Sequence, residues 1–244
     1  YALGALLCGG VLCIFDGSPN YPNLEVQWRF ASDKSIVHFG HGASFFIESM
    51  KNDLQDINEN RLPKLKSIGS TGSPLSEEAF YWLQKRLPRT QLISLSGGTD
   101  VCSAFLGGNP NLPVYAGYLQ CEMLGVSVEC WNEKGEKLKN ETGELVITNP
   151  MPCMPTYFWG DTQNKIFKKS YFKKFKDVWT HGDWIQKSET KGIKILGRSD
   201  STLNRKGVRI GTSEIYRVLD SLGEILDSII VDLPNKKDHS KLFL

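Results

Sequence analysis

The sequence predicts a mixed α/β protein: part of a large layered α/β domain with a small antiparallel sheet or barrel, then the start of a small α+β C-terminal domain. Three observations carry this. Strand-like and helix-like segments alternate over residues 1–113, the pattern of a parallel layer. Over residues 114–199 the chain turns to alternating apolar and polar strands joined by Gly-containing turns, the pattern of an antiparallel sheet. After Gly197 comes a Gly-rich loop, then a helix from Ser213 to about Leu222 and a strand over Ile225 to Val231. The domain boundary is placed at Asp200, giving units over 1–199 and 200–244.

Taken in order, Tyr1 to Phe15 is apolar and reads as a buried helix end, a Gly9-Gly10 turn and a core strand Val11 to Phe15. It has neither the basic start of a signal peptide nor the roughly 20 apolar residues of a membrane span. Asp16 to Pro22 is turn-rich. Leu24 to Ala31 carries helical spacing, Ile36 to Phe39 is a strand candidate, and Ala43 to Asp53 a helix with Phe46, Ile47 and Met50 inward. Leu65 to Ile68 is a strand that enters Gly69-Ser70-Thr71-Gly72-Ser73-Pro74. Ser76 is placed to cap a helix from Glu77 to Arg86. Gln91 to Leu95 is a strand that feeds a Gly97-Gly98 loop. Val126 to Trp131, Gly143 to Ile147, Val178-Trp179, Trp184-Ile185 and Ile193 to Leu196 are the antiparallel strands. The ends look cut inside packed elements, with Lys241 to Leu244 a strand in progress, so the chain reads as a fragment.

Composition narrows the function. The chain has 244 residues, 40% hydrophobic and 23% charged, with a net charge of +2. That balance gives no global field for nucleic acid or an anionic membrane. Six cysteines without a CxxC pair read as reduced, buried thiols of an intracellular protein. The lysines at 165, 168, 169, 173, 174 and 176 alternate with Phe167, Tyr171, Phe172 and Phe175. They read as a solvated face over buried aromatics rather than a nucleic-acid surface.

Four stretches carry candidate chemistry. Gly72-Ser73-Pro74 follows a strand and precedes a helix, where open α/β sheets bind ligands and bare backbone can meet a flat base. An ordinary β-to-α turn accounts for the same residues. Ser96 to Ser103 puts Gly97, Gly98, Thr99 and Asp100 on one loop, with glycines for close approach to an anion and a carboxylate suited to Mg²⁺ beside phosphates. A simple turn is the alternative. Thr180-His181-Gly182-Asp183 follows a short strand, and Asp183 at its tip can accept hydrogen bonds from both hydroxyls of a ribose. A Gly-Asp hairpin turn is the alternative, and His181 reads as structural. Gly197-Arg198-Ser199-Asp200, followed by Asn204, Gly207 and Arg209, is a polar loop for a ribose or a hinge.

In this order the stretches resemble the later motifs of the adenylate-forming acyl-CoA synthetases, and within them the members that take acetoacetate. The resemblance is carried by Gly72-Ser73-Pro74, Ser94 to Asp100, Gly107 to Tyr115, Pro152 to Thr156, Gly182-Asp183, Leu196 to Asp200 and Asn204 to Ile215, and it spans essentially the whole chain. It implies an AMP-forming acid–thiol ligase of the cytosol, at work in ketone-body and fatty-acid metabolism. Its small-molecule substrates are ATP, acetoacetate and coenzyme A, with Mg²⁺, and no nucleic acid or membrane insertion. Residues 1–199 would be the rear of its large N-terminal domain and 200–244 the start of its mobile C-terminal domain. Gly72, Ser73 and Pro74 would line the adenine. Gly98 would belong to the nucleotide site, Thr99 would contact a phosphate and Asp100 would sit at Mg²⁺. Asp183 would hold the ribose, with Arg198 nearby, and Asp200 would be the hinge. Gly207 would let coenzyme A pass and Arg209 would act near the phosphates. Gly97, where relatives that use acetate carry a bulky Trp, would leave room for a longer acid.

The chain also departs from the family pattern. The upstream phosphate loop and the distant catalytic Lys are not in it, and Lys206 is no substitute. Ala116-Gly117-Tyr118 replaces an expected Arg-Gly-Glu, and Ser201 an expected Gly. The 244 residues alone are therefore expected not to turn over.

Overall fold

The computed structural model describes residues 2–200 and, beyond them, residues 203–205, 208–210, 215–216, 218–219, 222, 225, 228–233 and 241–243. The helices are α1 (Ala2–Leu7), α2 (Val26–Asp33), α3 (Ala43–Lys51), α4 (Glu77–Arg86) and α5 (Lys165–Tyr171). The strands up to the antiparallel region are β1 (His38–Gly42), β2 (Ser67–Thr71), β3 (Gln91–Ser94), β4 (Ser96–Gly98), β5 (Ser103–Gly107) and β6 (Cys121–Glu122). They continue as β7 (Val128–Trp131), β8 (Thr142–Ile147), β9 (Trp179–Ser188), β10 (Gly192–Arg198), β11 (Leu203–Arg205), β12 (Val208–Ile210), β13 (Val231–Leu233) and β14 (Lys241–Phe243).

The expected α/β architecture is present. β1, β2 and β3 pair in parallel, in that order, so their carboxyl ends share one edge. α3 and α4 lie over them, and their apolar faces close one core around Trp28, Phe39, Phe46, Ile68, Leu83 and Leu92. α4 starts where its sequence says it should: Ser76 Oγ accepts from the Ala79 N–H at 3.2 Å, with Glu77 and Glu78 in the first turn. The remaining strands form an antiparallel β4-β5-β6 sheet, an open β10-β9-β8-β7 sheet and the hairpins β11-β12 and β13-β14. Of the two forms expected after residue 114, sheet or barrel, the open sheet is found. A second core of Val101, Phe105, Leu145, Trp179, Ile185 and Ile193 joins the β4-β5-β6 sheet to the four-stranded one.

Several local expectations need correction. Val11 to Phe15 is not a strand, and Val11 is 90% exposed. A strand needs a neighbour for its backbone groups, and no described strand runs beside this stretch. The Gly97-Gly98 loop is β4 itself. The apparent break at Thr180–Asp183 lies inside the ten-residue β9. α5 was not anticipated; its first N–H groups are taken by the Asp161 carboxylate, which accepts from Ile166 at 3.0 Å and Phe167 at 2.8 Å. All six cysteines are free thiols, but only Cys130 is buried, and Cys8 and Cys102 are exposed. The lysines of 165–176 are exposed, with Phe167, Tyr171 and Phe172 packed on the second core as expected. Residues 215–216 and 218–219 are helical, whereas the last strand expected over Ile225 to Val231 begins only at Val231. Among the described residues no helix is long and apolar enough to cross a membrane.

Candidate active site

Gly72-Ser73-Pro74 stands at the carboxyl end of β2, the middle strand of the parallel sheet, and is exposed. Gly72 has φ +86°, and an added Cβ would meet nothing within 4 Å. The glycine serves the turn's backbone conformation and leaves a bare surface above it. Two hydrogen bonds tie the end of this strand to the next site loop: Leu95 N to Ser70 O at 2.8 Å and Thr71 Oγ1 to Leu95 O at 3.2 Å.

That loop is the β4-β5 hairpin. Gly97 lies where β5 comes close: a Cβ there would be 2.2 Å from the Ser103 carbonyl oxygen. Its missing side chain therefore gives strand contact, and the space expected for a longer acid is not where that side chain would go. Gly98 faces His181, whose Cε1 would lie 3.1 Å from an added Cβ. Thr99 and Asp100 are exposed in the turn, which the Cys102 N–H closes on the Thr99 carbonyl at 3.0 Å. Tyr171, at the end of α5, donates its phenol hydrogen to Asp100 Oδ2. Burial, and then the neighbouring Asp100, push this phenol up to about 12. It remains a donor at any working pH.

Asp183 is placed by a bulge. β8 pairs Val146 with Thr180 and Glu144 with Trp184, so three residues, His181, Gly182 and Asp183, oppose Leu145 alone. Gly182 allows this with φ +87°, and a Cβ there would be 2.8 Å from Arg198 Nη2. Asp183 is 7% exposed and faces Arg198 across the β9-β10 ladder, with Nη1 3.6 Å from Oδ1. Arg198 in turn grips Asp200 with two hydrogen bonds, Nε to Oδ1 at 3.0 Å and Nη2 to Oδ2 at 2.5 Å. Burial raises the Asp183 carboxyl to about 6, against the pull of Arg198. Burial lowers His181 to about 4, so its 3.6 Å contact with Asp183 is no ion pair near neutral pH. Among the described residues no hydrogen-bond partner meets the buried His181 Nδ1. Below the pair, Glu144 is 1% exposed and accepts from Lys174 Nζ at 2.6 Å and Ser199 Oγ at 2.7 Å, which fixes the backbone between Arg198 and Asp200.

The structure thus gathers Gly98, Asp100, Asp183, Arg198 and Asp200 around His181 and Tyr171. Gly72-Ser73-Pro74 lies apart from this group, and the strand that leads into it is tied to β4 by the hydrogen bonds of Ser70 and Thr71 with Leu95. Arg209 stands on β12 opposite Asn204. Gly207, Lys206 and Ser201 lie outside the described residues. Ala116 and Tyr118 lie in the stretch leading to Leu119, with Lys194 Nζ 5.6 Å from the Tyr118 ring centroid. Sequence reading missed Tyr171 and Glu144. Tyr171 was hidden in a lysine-rich run, and Glu144 in an alternating strand whose register alone turns it inward. Among the described residues no group of three metal-binding side chains occurs. A single carboxylate, as at Asp100, holds Mg²⁺ only where water and ligand oxygens complete the cation's shell.

Comparison with known proteins gives the family and the fold. Residues 1–158 match the family model described as AMP-binding enzyme. An acetoacetyl-CoA synthetase of Gallus gallus is 40% identical over 98% of this chain and 36% of its own length. One of Rhizobium meliloti is 40% identical over 93% of this chain and 35% of its own. The structure of the acetoacetyl-CoA synthetase from Streptomyces lividans matches with a TM-score of 0.88 and 38% identity, over 98% of this chain and 37% of that one. The anthranilate CoA ligase AuaEII, in complex with anthranoyl-AMP, shares the fold at 16% identity and a TM-score of 0.76, over 96% of this chain and 42% of that one. The chain spans little more than a third of the length of the acetoacetyl-CoA synthetases it matches. With the family model covering nearly two thirds of its residues, the chain belongs to the AMP-binding enzyme family.

Proposed function

We propose that this chain is part of an AMP-forming acid–CoA ligase that activates acetoacetate. A carboxylate oxygen of the acid attacks the α-phosphorus of ATP, the bond to the β-phosphate breaks, and pyrophosphate leaves. The thiol sulfur of coenzyme A then attacks the acyl carbon of the adenylate, its proton is lost and AMP departs. The observation that carries this reading is the 40% identity to proteins named acetoacetyl-CoA synthetase from both a bird and a bacterium, along nearly the whole chain.

The residues have separate tasks in this reading. The bare backbone at Gly72, with Ser73 and Pro74, receives the adenine. Asp183, ionised above about pH 6, accepts from the ribose hydroxyls. Gly98, packed closely against His181, offers the backbone of the hairpin to the nucleotide. Thr99 and Asp100 project from the exposed turn toward the phosphates, Asp100 as a ligand for Mg²⁺. That cation and Arg209 would neutralise charge growing on phosphorus. Asp200, held by Arg198, marks the pivot of a smaller mobile unit over 200–244, and Gly207 gives passage to coenzyme A. The same reading places the enzyme in the cytosol, in ketone-body and fatty-acid metabolism.

A ligase for another short acid is the second reading. It is favoured by Gly97, whose absent side chain points into β5 rather than into a pocket. The test is ATP–pyrophosphate exchange by the full protein that carries this segment, with acetoacetate, acetate and butyrate in parallel. Exchange strongest with acetoacetate supports the proposal, exchange strongest with another acid supports the second reading, and a folded protein without exchange overturns both in favour of a non-catalytic nucleotide binder.

A further inference from the structure

We propose that Tyr171 is a positioning residue: its phenol sets the orientation of the Asp100 carboxylate, and its ring locks the β4-β5 turn to the strand that carries Asp183. The inference rests on the reading above in which Asp100 faces the cation bound to ATP phosphates.

The segment 165–176 is accounted for by lysines in water and aromatics on the core, and Phe167, Phe172 and Phe175 need no more than that. Tyr171 carries a hydroxyl that packing does not require. The hydroxyl reaches a carboxylate 71 residues earlier in the chain. Asp100 sits on an exposed turn, where a carboxylate otherwise samples several rotamers. One oxygen, Oδ2, is held by the phenol, and Oδ1 takes no hydrogen bond from the described residues. A carboxylate fixed through one oxygen offers the other in a set direction, and its ordering cost is met before the ligand arrives.

The ring makes the second connection. Tyr171 stacks on Trp179 with centroids 3.6 Å apart and planes at 14°. Trp179 is 2% exposed and opens β9, four residues before Asp183. Phe167 and Phe172 pack edge-on around the pair, with centroids 6.3 and 6.0 Å from the Trp179 ring. Two stacked rings and one hydrogen bond therefore relate the turn assigned to the phosphates to the bulge assigned to the ribose.

Tyr171→Phe keeps the stack and removes only the hydroxyl. In the full protein, calorimetric titration with ATP in Mg²⁺ should show binding weakened about tenfold, the scale of one hydrogen bond to a charged group. Titration in EDTA should match wild type, and the unfolding midpoint of the free protein should stay near wild type. In an Asp100→Asn background the same substitution should add nothing. Unchanged or tighter Mg²⁺–ATP binding by Tyr171→Phe overturns the inference. So does equal weakening with and without Mg²⁺, which marks Tyr171 as packing alone. A folded wild-type protein whose ATP binding ignores Mg²⁺ overturns the reading of Asp100 itself, and with it this inference.

Discussion

The turn at Gly72-Ser73-Pro74 and the bulge at His181-Gly182-Asp183 lie on different sheets and are built in opposite ways. The turn is exposed, uncharged and bare, and an added Cβ at Gly72 would touch nothing. The bulge holds a carboxylate and an imidazole whose side chains are nine-tenths buried, above a glutamate that is almost wholly enclosed. Both glycines have positive φ, but Gly182 also makes room for a guanidinium. A surface that meets a flat base by backbone alone costs the fold little. A surface that meets hydroxyl groups with a buried charge costs the fold a desolvated carboxylate. Substitutions should therefore separate binding from stability at the turn and couple them at the bulge.

The largest effect is expected from Asp183→Asn. The folded carboxyl titrates near 6, above its ordinary value of 3.8, so the unfolded chain releases this proton first. Its contribution to stability is full below pH 3.8 and is lost as pH rises through about 6. His181 has the opposite sign: its folded value of about 4 lies below 6.5, so its contribution is full above pH 6.5 and is lost as pH falls toward 4. At pH 7 only the Asp183 penalty operates, on the order of 3 kcal/mol. Asp183→Asn should then raise the urea midpoint at pH 7 and leave it unchanged near pH 3.5. Nucleotide affinity should fall roughly a hundredfold, the scale of lost hydrogen bonds to a charged acceptor. In wild type, nucleotide binding should weaken below pH 6 as Asp183 takes up its proton. A variant no more stable than wild type at pH 7 would break the contrast between turn and bulge.

Next comes Glu144→Ala. It strands the Ser199 hydroxyl and removes the partner of Lys174 from a site 1% exposed. Deleting one member of a buried charge pair costs about 3–5 kcal/mol. Lys174 is 37% exposed and can turn to water, which puts the expected loss near the lower end, about 3 kcal/mol. Equilibrium unfolding measures it. A loss under about 1 kcal/mol would mean that the segment from Arg198 to Asp200 is held by its own ladder hydrogen bonds and not from below.

The two regions also differ in how much of them could be read from the sequence. The turn is local: Gly72-Ser73-Pro74, a Ser76 cap and an apolar helix face follow one another and are legible from neighbours within four residues. The strand before them, expected over Leu65 to Ile68, runs on through Gly69 and Ser70 to Thr71 because it is paired with β1 and β3. Asp183, Arg198 and Asp200 were also picked out as candidates, because their residue types stand out in short polar stretches. Their relation could not be read. The bulge exists only because β8 offers Leu145 against three residues of β9, and β8 lies more than thirty residues upstream. The short gap between Trp179 and Trp184 looked like two strands for the same reason, since alternation slips where the extra residues enter. Glu144 and Tyr171 were missed because what makes them matter is a partner 55 or 71 residues away. Gly97 shows the reverse: its type stands out locally, but what an added side chain would meet is set by β5, whose approach nothing in the local sequence announces.

The smallest effect sharpens the comparison most, and it comes from a matched pair of alanines. Gly97→Ala puts a methyl 2.2 Å from the Ser103 carbonyl oxygen and 2.8 Å from Ala104 Cα, both backbone atoms of the paired strand. β4 and β5 must separate, at an overpacking cost of about 1–3 kcal/mol. Gly72→Ala meets no atom and bears only the strain of a positive φ, about 1–2 kcal/mol, offset by up to about 1 kcal/mol from a stiffer unfolded chain. A net loss of about 1 kcal/mol is expected at Gly72, measured by urea unfolding beside Gly97→Ala. Adenine nucleotide binding should nevertheless weaken in Gly72→Ala, because the methyl enters the space assigned to the base. Weakened binding at nearly full stability would separate contact from folding at this turn, which the bulge does not allow. Unaltered binding would mean that the base lies elsewhere and that Gly72 serves only the path of the chain between β2 and α4.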